Sequence, residues 1–173
     1  RRATAGPDAA GAEDHDAGPR GRVRAGSRAW HIGGSLGRTE ATGYGVIYTV
    51  REAMKHLGID PKKSVAAIQG FGNVSQYAAI GFVEMLGGKV ACVSCYDIHE
   101  KKTFTYSHKD GVDPHFLLTI VDQYGTIDKA KAEKAGYIVE DGDAWITKDC
   151  NVLIPAAKEG MVNAESVKKM SKN

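Results

Sequence analysis

The segment Ser64-Val-Ala-Ala-Ile-Gln-Gly-Phe-Gly-Asn-Val-Ser75 constrains the fold of this chain more than any other. Val65 to Ile68 is a short apolar run, the pattern of a strand buried on both faces. It leads directly into Gly70-x-Gly72-x-x-Ser75, and apolar residues then recur at helical spacing. Strand, glycine turn and helix, in that order, form the layout that holds the pyrophosphate of a dinucleotide. Gly70 permits the tight turn, and Gly72 lets the backbone approach a phosphate with no Cβ in the way. Phe71 lies between the glycines, while Asn73 and Val74 open the helix, whose free N–H groups and positive dipole end face the anion. Ser75 replaces the third glycine of the motif and is small enough for close helix–strand packing. The same turn also occurs in doubly wound proteins that bind no nucleotide.

The rest of the chain alternates strands and helices around this unit. Gly33-Gly-Ser-Leu-Gly37 is a loop, and Thr39-Glu-Ala-Thr42 leads into a helix with Val46, Ile47, Val50, Met54 and Leu57 at helical spacing. Gly58 and Pro61 end it. The helix after the glycine turn runs from about 73 to 86, with Val74, Tyr77, Ala78, Phe82, Met85 and Leu86 inward. Lys89 to Ser94 reads as a second buried strand, and Thr103-Phe-Thr-Tyr106 as a small edge extension. Asp113-Pro114 opens another helix, with proline suited to the first turn. Asp128 to Ala135 is a further helix, Asn151 to Pro155 a third buried strand, and about Asn163 to Met170 a last helix. This order predicts an α/β fold with a doubly wound parallel sheet. Ligands of such sheets bind at the carboxyl ends of the strands, where Gly70–Val74, Cys95–Asp97 and Pro155–Ala157 fall.

Composition narrows the function classes. With 42% hydrophobic and 25% charged residues, the 173-residue chain can build a core of its own. A net charge of +2 gives no argument for nucleic acid or a membrane surface. No apolar run approaches the roughly 18 residues of a membrane span, and no signal peptide is evident. Three cysteines, an odd count, fit a reduced cytoplasmic setting.

Residues 1–29 stand apart. They hold six arginines, no lysine and, beyond alanine, one aliphatic residue, Val23, whereas residues 30–173 hold two arginines and fifteen lysines. Such a segment buries too little apolar surface to offset its ordering entropy and is expected to be disordered. Asp8, Glu13, Asp14 and Asp16 interrupt its charge and argue against a nucleic-acid arm. The switch in arginine and lysine usage suggests a non-native segment, an out-of-frame reading of GC-rich coding DNA. The domain plan is therefore a disordered or non-native 1–30 and a nucleotide-binding domain over 31–173.

Three motifs carry a family resemblance. Gly33-Gly-Ser-Leu-Gly-Arg-Thr-Glu-Ala-Thr-Gly43, Gln69-Gly-Phe-Gly-Asn-Val74, and Leu153-Ile-Pro-Ala-Ala157 with Asn163-Ala164 resemble, in order and spacing, the glutamate/leucine/phenylalanine/valine dehydrogenases, glutamate dehydrogenase above all. The resemblance implies a Rossmann-like NAD(P)-binding domain of an enzyme that oxidatively deaminates an amino acid, with NAD or NADP as cofactor. It implies a homo-hexamer for the full-length protein. Carried over by motif, Arg38 and Thr42 lie beside the nicotinamide, Asn73 and Val74 contact the pyrophosphate and its ribose, and Ala156 and Ala157 line the nicotinamide-ribose side. A threonine hydroxyl near a helix start suits a carboxamide, and equally an ordinary helix cap.

The pattern also departs from the family. Its second strand usually ends on an acid for the adenosine ribose; the matching position here is Cys95, followed by Tyr96, which can stack near an adenine or pack in a loop, and Asp97, a candidate substitute for the acid. His99, Lys101 and Lys102 nearby suit a 2′-phosphate instead, or are solvated loop charge, so NAD and NADP both stay open. The family's catalytic lysine and aspartate belong to a substrate domain that should precede Gly33, so no catalytic residue is nominated and the chain alone is expected not to turn over. It is also expected to stop short of a further strand and helices. The amino-acid substrate then binds only with the missing domain. A stand-alone, non-catalytic nucleotide-binding module is the competing reading. Cys92-x-x-Cys95 lacks two further zinc ligands at suitable spacing, and no metal site is expected.

Overall fold

The computed structural model describes residues 37–170; the loop at 33–36 and the segment 1–30 lie outside the described residues, apart from Gly37 at the loop's end. Helix α1 (Arg38–Leu57) ends where Gly58 turns left-handed and the Ile59 N–H returns to the Met54 carbonyl. Strand β1 (Val65–Gln69) follows, then α2 (Asn73–Glu84) and β2 (Lys89–Asp97). Strand β3 (Lys102–Ser107), helices α3 (Pro114–Thr119) and α4 (Lys129–Lys134), strands β4 (Ile138–Asp141) and β5 (Val152–Pro155), and the single turn α5 (Ala164–Val167) complete the chain. The sheet order is β4-β3-β2-β1-β5.

The parallel expectation holds for the centre only. Strand β1 runs parallel to β2 and to β5, but β3 is antiparallel to β2 and β4 to β3, so the sheet is mixed. Only four residues, 98–101, join β2 to β3. A link that short allows a hairpin, whereas parallel neighbours need a crossover of a dozen or more residues. Strand β2 therefore runs three residues past Ser94. Strand β5 was expected to be buried, yet of its residues Ile154 alone is, because among the described residues it pairs on one side only. Helix α5 is one turn, closed by a reciprocal cap between Asn163 and Ser166.

The sheet separates two cores. On one face Ala66, Ile68, Val90, Val93, Phe104, Tyr106 and Ile154 pack against Ile47 and Met54 of α1, Ala78, Ala79 and Phe82 of α2, and Leu117 of α3. Met85, expected inward, is exposed, as is Leu57 at the end of the apolar spacing of α1, since α1 and α2 reach their ends there. On the other face Ala67 and Cys92 meet Trp145 and Ile146 of a 3-10 turn at Ala144–Thr147. Helices α1 and α2 cross almost in backbone contact. A Cβ on Gly43 would lie 2.4 Å from Tyr77 Cβ and 2.8 Å from the Val74 carbonyl oxygen, so only glycine fits that crossing.

Candidate functional site

Gly70 and Gly72 occupy one turn for different reasons. Gly70 is buried with φ of +91°, and a Cβ there would stand 2.7 Å from Ala157 Cβ and 3.2 Å from Ser75 Oγ. Both the left-handed backbone and the packing of β1 against the segment after β5 demand glycine. Gly72 has φ of −83° and ψ of −170°, which any residue adopts, and a Cβ there would meet no protein atom within 4 Å. Nothing in the fold demands glycine at 72. The space its missing side chain leaves faces outward from the start of α2, which no side chain caps and whose first turn holds no acid. An uncapped helix start with open space above it leaves backbone N–H groups free to meet an anion.

The turn is held from four sides. The Gly70 N–H donates to Ser94 Oγ at 3.0 Å, Gln76 Nε2 donates to the Phe71 carbonyl at 2.8 Å, and Ser75 Oγ donates to the Gly72 carbonyl at 3.2 Å. Asn73 Nδ2 donates to the Thr39 carbonyl in the first turn of α1 at 2.6 Å, which leaves its Oδ1 as the acceptor end. On the β5 side, the Ala156 N–H donates to the Gln69 carbonyl at 3.1 Å. Gln69 is 4% exposed, and its Oε1 is a buried acceptor with no hydrogen-bond partner among the described residues. Such orphans are rare in folded proteins and concentrate where another group is expected.

The structure therefore brings the sequence-derived residues together at the carboxyl edge of the sheet. Gly70, Gly72, Asn73 and Val74 sit at the centre, Ala156 and Ala157 on the β5 side, and Arg38 and Thr42 on the first turns of α1. Phe71 is 2% exposed and belongs to the core, so only its backbone borders the turn. Thr42 lies five residues into α1, whose cap is Gly37, so its exposed hydroxyl caps nothing. Ser94 and Gln76 support the turn and were not singled out from sequence; the signal was a polar residue at a buried position of each element.

On the β2 side the structure distinguishes the three neighbours. Cys95 is buried, its thiol lies 3.3 Å from the Gly125 carbonyl, and burial pushes it up to about 11, so it stays neutral at neutral pH. Tyr96 is exposed at the strand end. Asp97 is buried, and its Oδ1 accepts the N–H groups of His99 and Glu100 at 2.8 and 2.9 Å. That carboxylate shapes the β2–β3 turn. Cys92 and Cys95 face opposite cores, so they cannot share a metal ion; among the described residues no group of His, Cys, Asp and Glu is placed to hold one. No helix among those residues is long and apolar enough to cross a membrane.

Comparison with known proteins identifies the scaffold. Residues 33–173 match the Glutamate/Leucine/Phenylalanine/Valine dehydrogenase family. Over 141 residues the chain is 39% identical to a glutamate dehydrogenase of Thermotoga maritima, covering 79% of this chain and 31% of that protein. It is 38% identical over 140 residues to an NAD-specific glutamate dehydrogenase of Clostridioides difficile, covering 79% and 32%. The crystal structure of Plasmodium falciparum glutamate dehydrogenase superposes with a TM-score of 0.68 at 25% identity, over 80% of this chain and 29% of that one. The chain thus spans about a third of the length of the curated relatives it matches. By the match over 33–173, with the α/β fold and the glycine turn in the same stretch, the chain belongs to the Glutamate/Leucine/Phenylalanine/Valine dehydrogenase family.

Proposed function

We propose that this chain is the nicotinamide dinucleotide-binding part of a glutamate-type amino-acid dehydrogenase. The observation that carries the reading is Gly72: a glycine that neither backbone nor packing requires, beside open space at an uncapped helix start. The N–H groups of Gly72 to Val74 hold the pyrophosphate, and Asn73 Oδ1 accepts from a ribose hydroxyl. Cys95 to Asp97 border the adenosine end. Ala156 and Ala157, with Arg38 and Thr42, border the nicotinamide end, where small side chains leave room for a flat ring. When bound, the nicotinamide supplies hydride chemistry. The protein's residues here bind and orient; the α-carbon must still be held against the ring and a proton handled at the amine. We assign those tasks to a lysine and an aspartate of a substrate domain, with the stretch in hand inactive by itself. The complete enzyme, a cytoplasmic homo-hexamer, interconverts L-glutamate with 2-oxoglutarate and ammonia.

Calorimetric titration with NADH and NADPH tests the cofactor role, with Gly72→Val as the comparison. The expected result is binding by the wild type and at least about tenfold weaker binding by the variant, at an unchanged melting temperature, because a Cβ at 72 meets no protein atom within 4 Å and the added bulk stands where the ligand would lie. A folded wild type that binds neither dinucleotide, or a variant that binds as well, overturns the reading.

A further inference from the structure

One buried side chain beside the glycine turn bears on the aim of a single N–H group. Gln76 lies in the first turn of α2 and is 8% exposed. Its Nε2 donates to the Phe71 carbonyl at 2.8 Å. That carbonyl shares a planar trans peptide with the Gly72 N–H, so the two point in opposite directions. With the carbonyl held on the buried side by Gln76, the N–H points away from it, toward the exposed side of Gly72.

The peptides on either side of this one have other holds. Between Gln69 and Gly70, the Gln69 carbonyl accepts the Ala156 N–H at 3.1 Å and the Gly70 N–H donates to Ser94 Oγ at 3.0 Å. Between Gly72 and Asn73, the Gly72 carbonyl accepts the Gln76 N–H at 2.9 Å and the Ser75 hydroxyl at 3.2 Å, which aims the Asn73 N–H out of the helix start. The Phe71 carbonyl lies one residue ahead of that helix ladder and takes no backbone hydrogen bond among the described residues. Gln76 supplies the hold that the ladder does not reach. Glycine makes the hold necessary. Gly72 accepts either sign of φ, and no protein atom lies within 4 Å of where its Cβ would stand. Without Gln76 the Phe71–Gly72 peptide is free to turn over, and a turned peptide presents a carbonyl oxygen where an anion needs a donor.

We propose that Gln76 is a positioning residue for the pyrophosphate: it touches no ligand, and through the Phe71 carbonyl it locks the Gly72 N–H in the orientation that donates to a phosphate oxygen. The proposal rests on the dinucleotide reading above. The two residues divide one task. Gly72 lacks the side chain that would keep the phosphate away, and Gln76 restores the order that the missing Cβ takes from the backbone.

The test is titration of the full chain with NADH, as wild type and as Gln76→Met, read by calorimetry and by the backbone amide resonances of residues 72–74. Methionine keeps the length of glutamine and lacks the donor. Well below the melting temperature of both proteins, Gln76→Met should bind NADH about tenfold more weakly, the size of one lost hydrogen bond to a charged group. In the wild type, NADH should shift the Gly72, Asn73 and Val74 resonances together. In Gln76→Met the Asn73 and Val74 resonances, aimed by the helix, should still shift while the Gly72 shift shrinks or vanishes; a general loosening of the fold does not give that pattern. The wild type is informative even where the variant does not fold: Asn73 and Val74 shifting without Gly72 overturns the proposal. A folded Gln76→Met that binds NADH as tightly as the wild type, or that loses all three shifts alike, also overturns it. Each of these outcomes leaves the cofactor reading standing. A folded wild type that binds no NADH overturns both.

Discussion

Two glycines two residues apart answer to different constraints, and substitution separates them. Gly70→Ala places a Cβ on a left-handed residue and within 2.7 Å of Ala157 Cβ. It should cost about 1–3 kcal/mol, read as a lowered melting temperature, whatever happens to ligand affinity. Gly72→Val is expected to act the other way round, sparing the fold and losing the ligand. The pair was legible in the sequence because a strand, a glycine turn and a helix are contiguous. The residues that brace the turn were not. Ser94 reaches Gly70 across 24 positions, and Asn73 reaches Thr39 across 34; neither distance leaves a local pattern. Asp97 was read as a stand-in for the ribose acceptor, and the structure gives its Oδ1 to the adjoining turn.

At the scale of elements, periodicity located β1, β2, α1 and α2, whose apolar spacing is long enough to read. It missed β4 and the 3-10 turn at Ala144–Thr147. Strand β4 has four residues and none of them is buried, so no alternation marks it. The 3-10 turn has no helical period, yet it carries Trp145, which is fully buried and covers Ala67 and Cys92. That side of the sheet depends on few large side chains. Trp145→Ala is expected to cost about 3–5 kcal/mol, which chemical denaturation would register as a lower midpoint. The direction of β3 was hidden for another reason: its apolar pattern is the same in either sense, and the four-residue link decides.

For the molecule as a whole, the buried thiols set an alkaline limit. Burial raises Cys92 from 9.0 to about 12 and Cys95 from 9.0 to about 11, and burial raises Tyr106 and Tyr137 as well. The native state then holds these protons more tightly than the unfolded chain does. Their contribution is intact below about pH 9 and is lost as pH rises through the native values. Melting temperatures should fall progressively above about pH 9, the unfolded thiol value, and more gently in Cys92→Ala; a level profile would contradict this. The crossing of α1 on α2 has a mechanical consequence. Gly43 rests on the Val74 carbonyl, and Asn73 is tied to the Thr39 carbonyl. The Gly70–Gly72 turn therefore has no position independent of α1. Torque applied to the first turns of α1 is carried across these two contacts into the start of α2, and Gly70, Gly72 and α1 shift as one piece.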